Sequence, residues 1–145
     1  MLLILATLAA GLFAGAAIYI TAVEHPARLA CGSQLAVREF APSYRRATLM
    51  QAPLALVGCA AGLVAGWQRN DLVLASAAAL LGAVVPFTLV VMLPTNKRLL
   101  NPALDARSPA ALALLVRWGR LHAVRSVLGG ASFVLFLARA LGLRF

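Results

Sequence analysis

An all-α integral membrane four-helix bundle is the fold class that this 145-residue chain predicts, on three observations. Hydrophobic residues make up 63% of it and charged residues only 12%, against roughly 45–50% and about 25% in soluble domains. Four apolar runs are each about twenty residues long, enough for a helix to cross a hydrocarbon core roughly 30 Å thick. The ionisable and polar aromatic residues gather at one end of those runs, where a bilayer makes them expensive and their presence reads as a functional site.

The first run, about 2–23, could be a cleaved secretory signal. It has no basic leading region, however, and its apolar core is longer than the roughly 7–15 residues of a signal, so it reads as a retained span. A segment at about 24–47 comes next, read as a loop carrying Glu24-His25-Pro26-Ala27-Arg28 and Tyr44-Arg45-Arg46. The second run, about 48–67, contains Pro53, and the third, about 72–93, contains Pro86. In a membrane bundle such prolines bend helices without ending them, because neighbouring groups re-satisfy the freed backbone. A second loop at about 94–123 holds Pro94-Thr95-Asn96-Lys97-Arg98 and Trp118 to His122, and the last run is about 124–143. Gly11 to Gly15 and Ala60 to Gly66 are rich in small residues that let helices approach closely. Residues 1–145 thus form a single transmembrane domain.

Charge sets the expected topology. Ten of the thirteen basic residues lie in the two loops or where helix four begins: Arg28, Arg38, Arg45, Arg46, Lys97, Arg98, Arg107, Arg117, Arg120 and Arg125. Only Arg69, Arg139 and Arg144 lie on the other side, so both loops are expected in the cytoplasm and both termini outside a cell membrane. The net charge of +9 is accounted for by this topology and by attraction to anionic lipid headgroups, and does not argue for nucleic acid. Cys31 and Cys59 form neither a metal spacing nor a plausible oxidised pair.

A weak internal repeat organises the chain. Pro26-Ala27-Arg28-Leu29 aligns with Asn96-Lys97-Arg98-Leu99, and Tyr44-x-Arg46-x-Thr48-x-x-Gln51 aligns with Trp118-x-Arg120-x-His122-x-x-Arg125. Offsets of i, i+4 and i+7 place the aromatic and two polar residues on one helical face. Each half would be a helix hairpin, and the two would be parallel, related by an axis along the membrane normal.

This pattern supplies the candidate site residues. His122 shares a face with Trp118 and Arg125 at the membrane entry point, which favours a functional role. His25 beside Glu24 and before Pro26 is explained equally well by a helix end. Arg125, followed by a long apolar run, must pair, snorkel or bind an anion, and only Glu24, Glu39, Asp71 and Asp105 are available to neutralise thirteen cations. Tyr44 and Trp118 alone could be interfacial aromatics, and Gln51 and Asn96 interhelical hydrogen bonders. Together these groups suit a flat, partly apolar molecule bearing acidic hydroxyl or carbonyl oxygens, such as a quinone. A metal or haem held by His25 and His122 is the minority alternative, because no His-x-x-x-His or Glu-x-x-His pair supports it.

Ala14-Gly15, His25-Pro26-Ala27-Arg28, Tyr44-Arg45-Arg46-Ala47, Gln51-Ala52-Pro53-Leu54, Pro86-Phe87-Thr88, Pro94-Thr95-Asn96 and Leu115-x-x-Trp118-x-x-Leu121-His122-x-x-Arg125, in this order, resemble the anthrone oxygenase-like family of small membrane proteins, also catalogued as a domain of unknown function. The resemblance covers nearly the whole chain. It implies an oxygenase that converts an anthrone or related polycyclic phenol with dioxygen and no cofactor. His122 or His25 would then be the base, with Arg125, Arg28 and Arg98 stabilising anionic oxygens. Asn96 and Gln51 would hydrogen-bond the substrate, and Trp118 and Tyr44 would stack on its rings. The competing readings are a non-catalytic protein binding a quinone, lipid or anionic metabolite at the cytoplasmic rim, and a subunit of a larger assembly; a homo-oligomer is compatible with the small-residue faces.

Overall fold

The computed structural model describes residues 1–143; Arg144, counted above among the basic residues opposite the loops, lies outside them. Four long helices account for nearly all of the described chain: α1 (Leu2–Ala30), α2 (Ser33–Arg69), α3 (Leu72–Leu99) and α4 (Pro109–Ala140). All four are long and apolar enough to span a membrane. Each packs against its neighbours in the chain, and α4 closes the ring on α1. The bundle is therefore antiparallel between neighbours, and α1 runs parallel to α3.

The segments read as loops at about 24–47 and 94–123 are mostly helical. α1 continues to Ala30 and α2 begins at Ser33, and between α3 and α4 only residues 100–108 are non-helical. The physical reason is that these stretches carry their charge on exposed helical faces, at Arg38, Arg45, Arg46, Arg117 and Arg120, a pattern that polarity alone makes look irregular; Pro42 is taken into α2 without ending it. At roughly 1.5 Å per residue, the 37 residues of α2 reach well beyond a hydrocarbon core of roughly 30 Å. The cluster of polar residues thus sits on a helical extension where the apolar layer ends.

Local chemistry fixes the turns. Gly32, at φ +87°, makes the sharp reversal between α1 and α2 that other residues resist. Asn70 caps α2 in the left-handed conformation at φ 48°, and Asp71 then caps α3 by accepting from the backbone N–H groups of Val73 (3.0 Å) and Leu74 (3.3 Å). Ser108 accepts from Ala111 N–H at 3.2 Å and Pro109 opens α4.

Small residues fill the interior and large ones face outward. Ala6, Ala10, Ala17, Ala55, Ala77 and Ala78 are buried in the helix seams, whereas Ile4, Leu8, Leu12, Leu56, Leu63 and Leu72 are exposed, the inverse of a water-soluble bundle. Phe13, Leu74, Leu81 and Phe136 complete the apolar core. Close approach depends on glycine at a few points: a Cβ at Gly58 would lie 2.6 Å from Leu81 Cδ2.

Pro42, Pro53 and Pro86 are accommodated inside helices. Pro26 and Pro94 are passed differently. Each stands two residues after a π turn, Ile20–Glu24 in α1 and Thr88–Met92 in α3. The residues before the prolines, His25 and Leu93, donate to the carbonyls of Ile20 and Thr88, five positions back. The halves thus register Pro26 with Pro94, which shifts the first-element alignment by two residues and sets Arg28 opposite Asn96 in place of Arg98. Reciprocal contacts support this register: Asn96 Nδ2 reaches the Tyr44 hydroxyl at 3.5 Å, and the Arg28 guanidinium stands 5.9 Å from the centre of the Trp118 ring. The aligned positions of each hairpin thus contact the aligned aromatic of the other.

At the opposite end, Arg139 donates to Asp71 at 3.0 Å and ties α4 to the α2–α3 turn. Partial burial raises the Asp71 pKa, but the Arg139 hydrogen bond, the capped N–H groups and the Arg139 charge outweigh it and hold the carboxyl below its ordinary value of 3.8. A depressed folded value stabilises the bundle above the unfolded value and stops doing so as pH falls through the folded one. Asp71→Asn should therefore lower the thermal midpoint in detergent at pH 7, with the gap to wild type closing below about pH 4.

Candidate functional site

Four elements converge at the basic end: the π turn and last turns of α1, the first half of α2, the tip of α3 and the middle of α4. After each π turn the helix presents polar residues inward, so that His25, Arg28, Thr95 and Asn96 are all buried. On α4, the stripe at Trp118, His122 and Ser126 is buried as well, which is the i, i+4, i+8 repeat of one helical face.

An aromatic wall runs through the site. His122 stacks on Trp118 (centroids 4.7 Å apart, planes at 25°). Trp118 also contacts His25 at 5.1 Å and meets Phe40 edge-on at 5.4 Å, and Phe40 stacks with Tyr44 at 5.7 Å. Gly119 leaves room for this: a Cβ there would lie 2.6 Å from His25 Cδ2.

The two arginines at the site differ in their partners. Arg28 is buried and ion-paired with both Glu24 and Glu39, and Ser43 donates to Glu24 at 2.8 Å. Its charge is already balanced by carboxylates. Arg125 has no carboxylate partner among the described residues; it donates to Gln51 Oε1 at 2.9 Å and lies 5.6 Å from the centre of the Phe13 ring. A guanidinium sharing a low-dielectric site with neutral partners keeps most of its attraction for an incoming anion.

His122 Nδ1 lies 2.9 Å from the Thr21 hydroxyl, which lies 2.7 Å from that of Ser126. Ser126 in turn donates to the Ala17 carbonyl at 2.9 Å. Buried polar atoms here that have no hydrogen-bond partner among the described residues include Gln51 Nε2, Asn96 Oδ1, Trp118 Nε1 and Arg125 Nε. Unsatisfied groups of this kind are rare in native structures and call for a bound molecule or water.

His122, Trp118, Arg125, Arg28, Tyr44 and Gln51 line an internal cavity of about 20 Å³. Ile20, Ser43, Ala47 and Gln51 separate it from a groove of about 520 Å³ between α1 and α2. On its other side, Tyr44, Thr48, Gln51 and Arg125 are shared with a mostly apolar cavity of about 140 Å³ in the bundle interior.

Of the residues singled out in the sequence, the fold thus gathers His122, Trp118, Arg125, Arg28, Tyr44 and Gln51, with His25 and Asn96 joined to them through Trp118 and Tyr44. Arg98 is not among them: it is exposed and lines a separate surface groove with Arg117. Thr21, Phe40, Ser43 and Ser126 join the site although the sequence pattern does not single them out. Ser126 stands four residues after His122, a spacing that could have revealed it; Thr21 is hidden in an apolar run. Among the described residues no three His, Cys, Asp or Glu side chains come together as a metal site, and the Trp118 indole contacts both imidazoles.

The family model described as anthrone oxygenase matches residues 40–135. The chain belongs to the anthrone oxygenase family. The match takes in Tyr44, Gln51, Asn96, Trp118, His122 and Arg125, so most of the anthrone oxygenase-like site falls within it, while His25, Arg28 and Thr21 of α1 lie outside it. No curated protein and no solved structure matches the chain significantly.

Because His25 packs against Gly119, Gly119→Ala should push the imidazole off Trp118 and destabilise the bundle by about 1–3 kcal/mol, the scale of overpacking. In a Trp67→Phe background, which leaves Trp118 as the sole tryptophan, its emission should shift to the red; unchanged emission and stability would contradict this packing.

Proposed function

We propose that the chain is a membrane oxygenase of the anthrone type, converting a polycyclic phenol or anthrone-like substrate with dioxygen and without a cofactor. The observation that carries this reading is the pairing of His122 with a carboxylate-free arginine, Arg125, beside an aromatic wall. A base, a cation for the anion it creates and a flat surface for the rings are what such a reaction needs from a protein. The family match is consistent with it. The basic end of the bundle would face the cytoplasm and both termini the outside of a cell membrane, in keeping with the excess of arginine and lysine.

In this reading the apolar substrate comes from the lipid phase, lies in the α1–α2 groove and presents its acidic edge to the inner cavity. His122 removes a proton from the activated methylene, leaving the electron pair delocalised onto the oxygen that Arg125 and Gln51 face. The electron-rich anion passes an electron to dioxygen, and the radical pair closes a carbon–oxygen bond to give a peroxide, which the imidazolium protonates. Loss of the second C–H proton with cleavage of the O–O bond releases water and leaves the new carbonyl. One anthrone and one dioxygen thus give one anthraquinone and one water. Trp118 and Tyr44, which line the inner cavity and not the groove, would flank the acidic edge of the ring system, and Asn96 would bond a peripheral oxygen. Arg28, held by two carboxylates, would bind less than Arg125, and His25 would support Trp118.

Oxygen uptake by the purified, metal-depleted protein with an anthrone tests the reading directly. Wild type should consume oxygen and form quinone, and His122→Ala should lose roughly 100- to 10,000-fold in rate, the usual contribution of a general base. Recovery only on adding iron or copper would overturn the cofactor-free assignment, and binding without conversion would make this a binding protein. Gln51→Glu gives Arg125 a carboxylate of its own; it should keep the bundle folded while weakening binding of a phenolate at least tenfold, read by equilibrium titration.

A further inference from the structure

The hydrogen-bond chain behind His122 has a direction that its last link fixes. Ser126 is buried, and its hydroxyl has one proton to give. That proton goes to a carbonyl, since the oxygens of Ala17 (2.9 Å) and of His122 itself (3.3 Å) both stand before it and can only accept. Ser126 must then accept from Thr21 at 2.7 Å. The Thr21 proton is thereby committed, so at 2.9 Å Thr21 must accept from His122 Nδ1. Reversing any link would set two lone pairs against each other and leave a buried acceptor without a donor.

We infer that Thr21 and Ser126 are positioning residues that lock His122 in the tautomer protonated at Nδ1, leaving Nε2 with the free lone pair as the basic atom. The π turn makes this contact available. Thr21 is its second residue, and the extra residue in that turn re-aims the α1 side chains next to Pro26 toward α4. The second π turn carries no hydroxyl in that place: in the register set by Pro26 and Pro94, Leu89 stands where Thr21 does, and in the alignment of Tyr44 with Trp118, Thr48 stands where His122 does. One half alone is equipped as a base.

The inference rests on the proposed oxygenase reading only for its consequence in catalysis; the tautomer can be read without any substrate. The full chain, labelled with nitrogen-15 histidine and held in lipid nanodiscs, contains two histidines, and loss of one signal in His122→Gln assigns the other set. Nitrogen shifts distinguish protonated from bare ring positions. Wild type should show His122 protonated at Nδ1, Thr21→Val should move the proton to Nε2 or give a mixture, and Thr21→Ser should restore the wild-type pattern. Ser126→Ala should loosen it in the same sense. An Nε2-protonated His122 in wild type, or a pattern untouched by Thr21→Val in a protein that still melts cooperatively, would overturn the inference. Where wild type oxidises an anthrone, Thr21→Val should lower kcat by roughly 10- to 100-fold with KM little changed, less than loss of the base itself, and Thr21→Ser should recover most of it. If wild type oxidises nothing while the tautomer tracks Thr21, the oxygenase reading falls and the relay stands.

Discussion

Two missing N–H groups shape the functional end of this protein. In the apolar layer each backbone donor and acceptor must be satisfied within the protein, and Pro26 and Pro94 each remove one donor from a helix that has to continue. The chain answers with a π turn ahead of each proline, a local widening that recurs at functional sites in many proteins. Widening rotates the helical turn beyond it, and the residues brought inward are His25 and Arg28 in one hairpin and Thr95 and Asn96 in the other. Without that rotation the polar tips of α1 and α3 would face headgroups, and the cluster around Trp118 would lack two of its four walls.

The remaining walls come from helices that outrun the membrane. α2 and α4 carry their apolar residues in the half that meets lipid and their aromatic and polar stripes in the extension. The transition falls near Gln51 and Arg125, which bond to each other. Deeper in the bundle alanine and glycine pack against Phe13, Leu81 and Phe136; toward the polar end the inner cavity adjoins the α1–α2 groove on one side and the apolar interior cavity on the other. The spaces thus meet where the packed core gives way to the polar stripe.

Most of this plan is legible in the sequence. Apolar runs of membrane-spanning length announce four helices, and the i, i+4, i+7 stripes from Tyr44 and Trp118 name most of the inner cavity's polar lining. The consequence of π geometry is not legible. A one-residue excess in a helix leaves no compositional mark, so Thr21 passes as one more residue of an apolar run; the sequence repeat, matched on Arg28 and Arg98, sets the Pro26 and Pro94 segments two residues out of the register that the two π turns share. Arg98 is drawn in by the same misalignment, since it takes the place opposite Arg28 that belongs to Asn96. The polar stretches flanking the spans read as loops because charge density suggests solvent, when exposed helical faces satisfy the same pattern. Partner choice among the arginines also lies beyond the sequence, which shows four acids but not that Glu24 and Glu39 both go to Arg28.

The Gln51–Arg125 bond shows what a single chain allows that two identical hairpins would not. The internal repeat aligns these two positions, and the fold brings them into contact. In an assembly of two identical hairpins the same side chain would have to stand on both sides: two arginines would repel, and two glutamines would hold no anion. With both hairpins in one polypeptide the positions are free of self-pairing, so that one can carry a cation and the other its neutral complement. Two hairpins carried on one chain can thus differ at the place where identical copies would be most constrained.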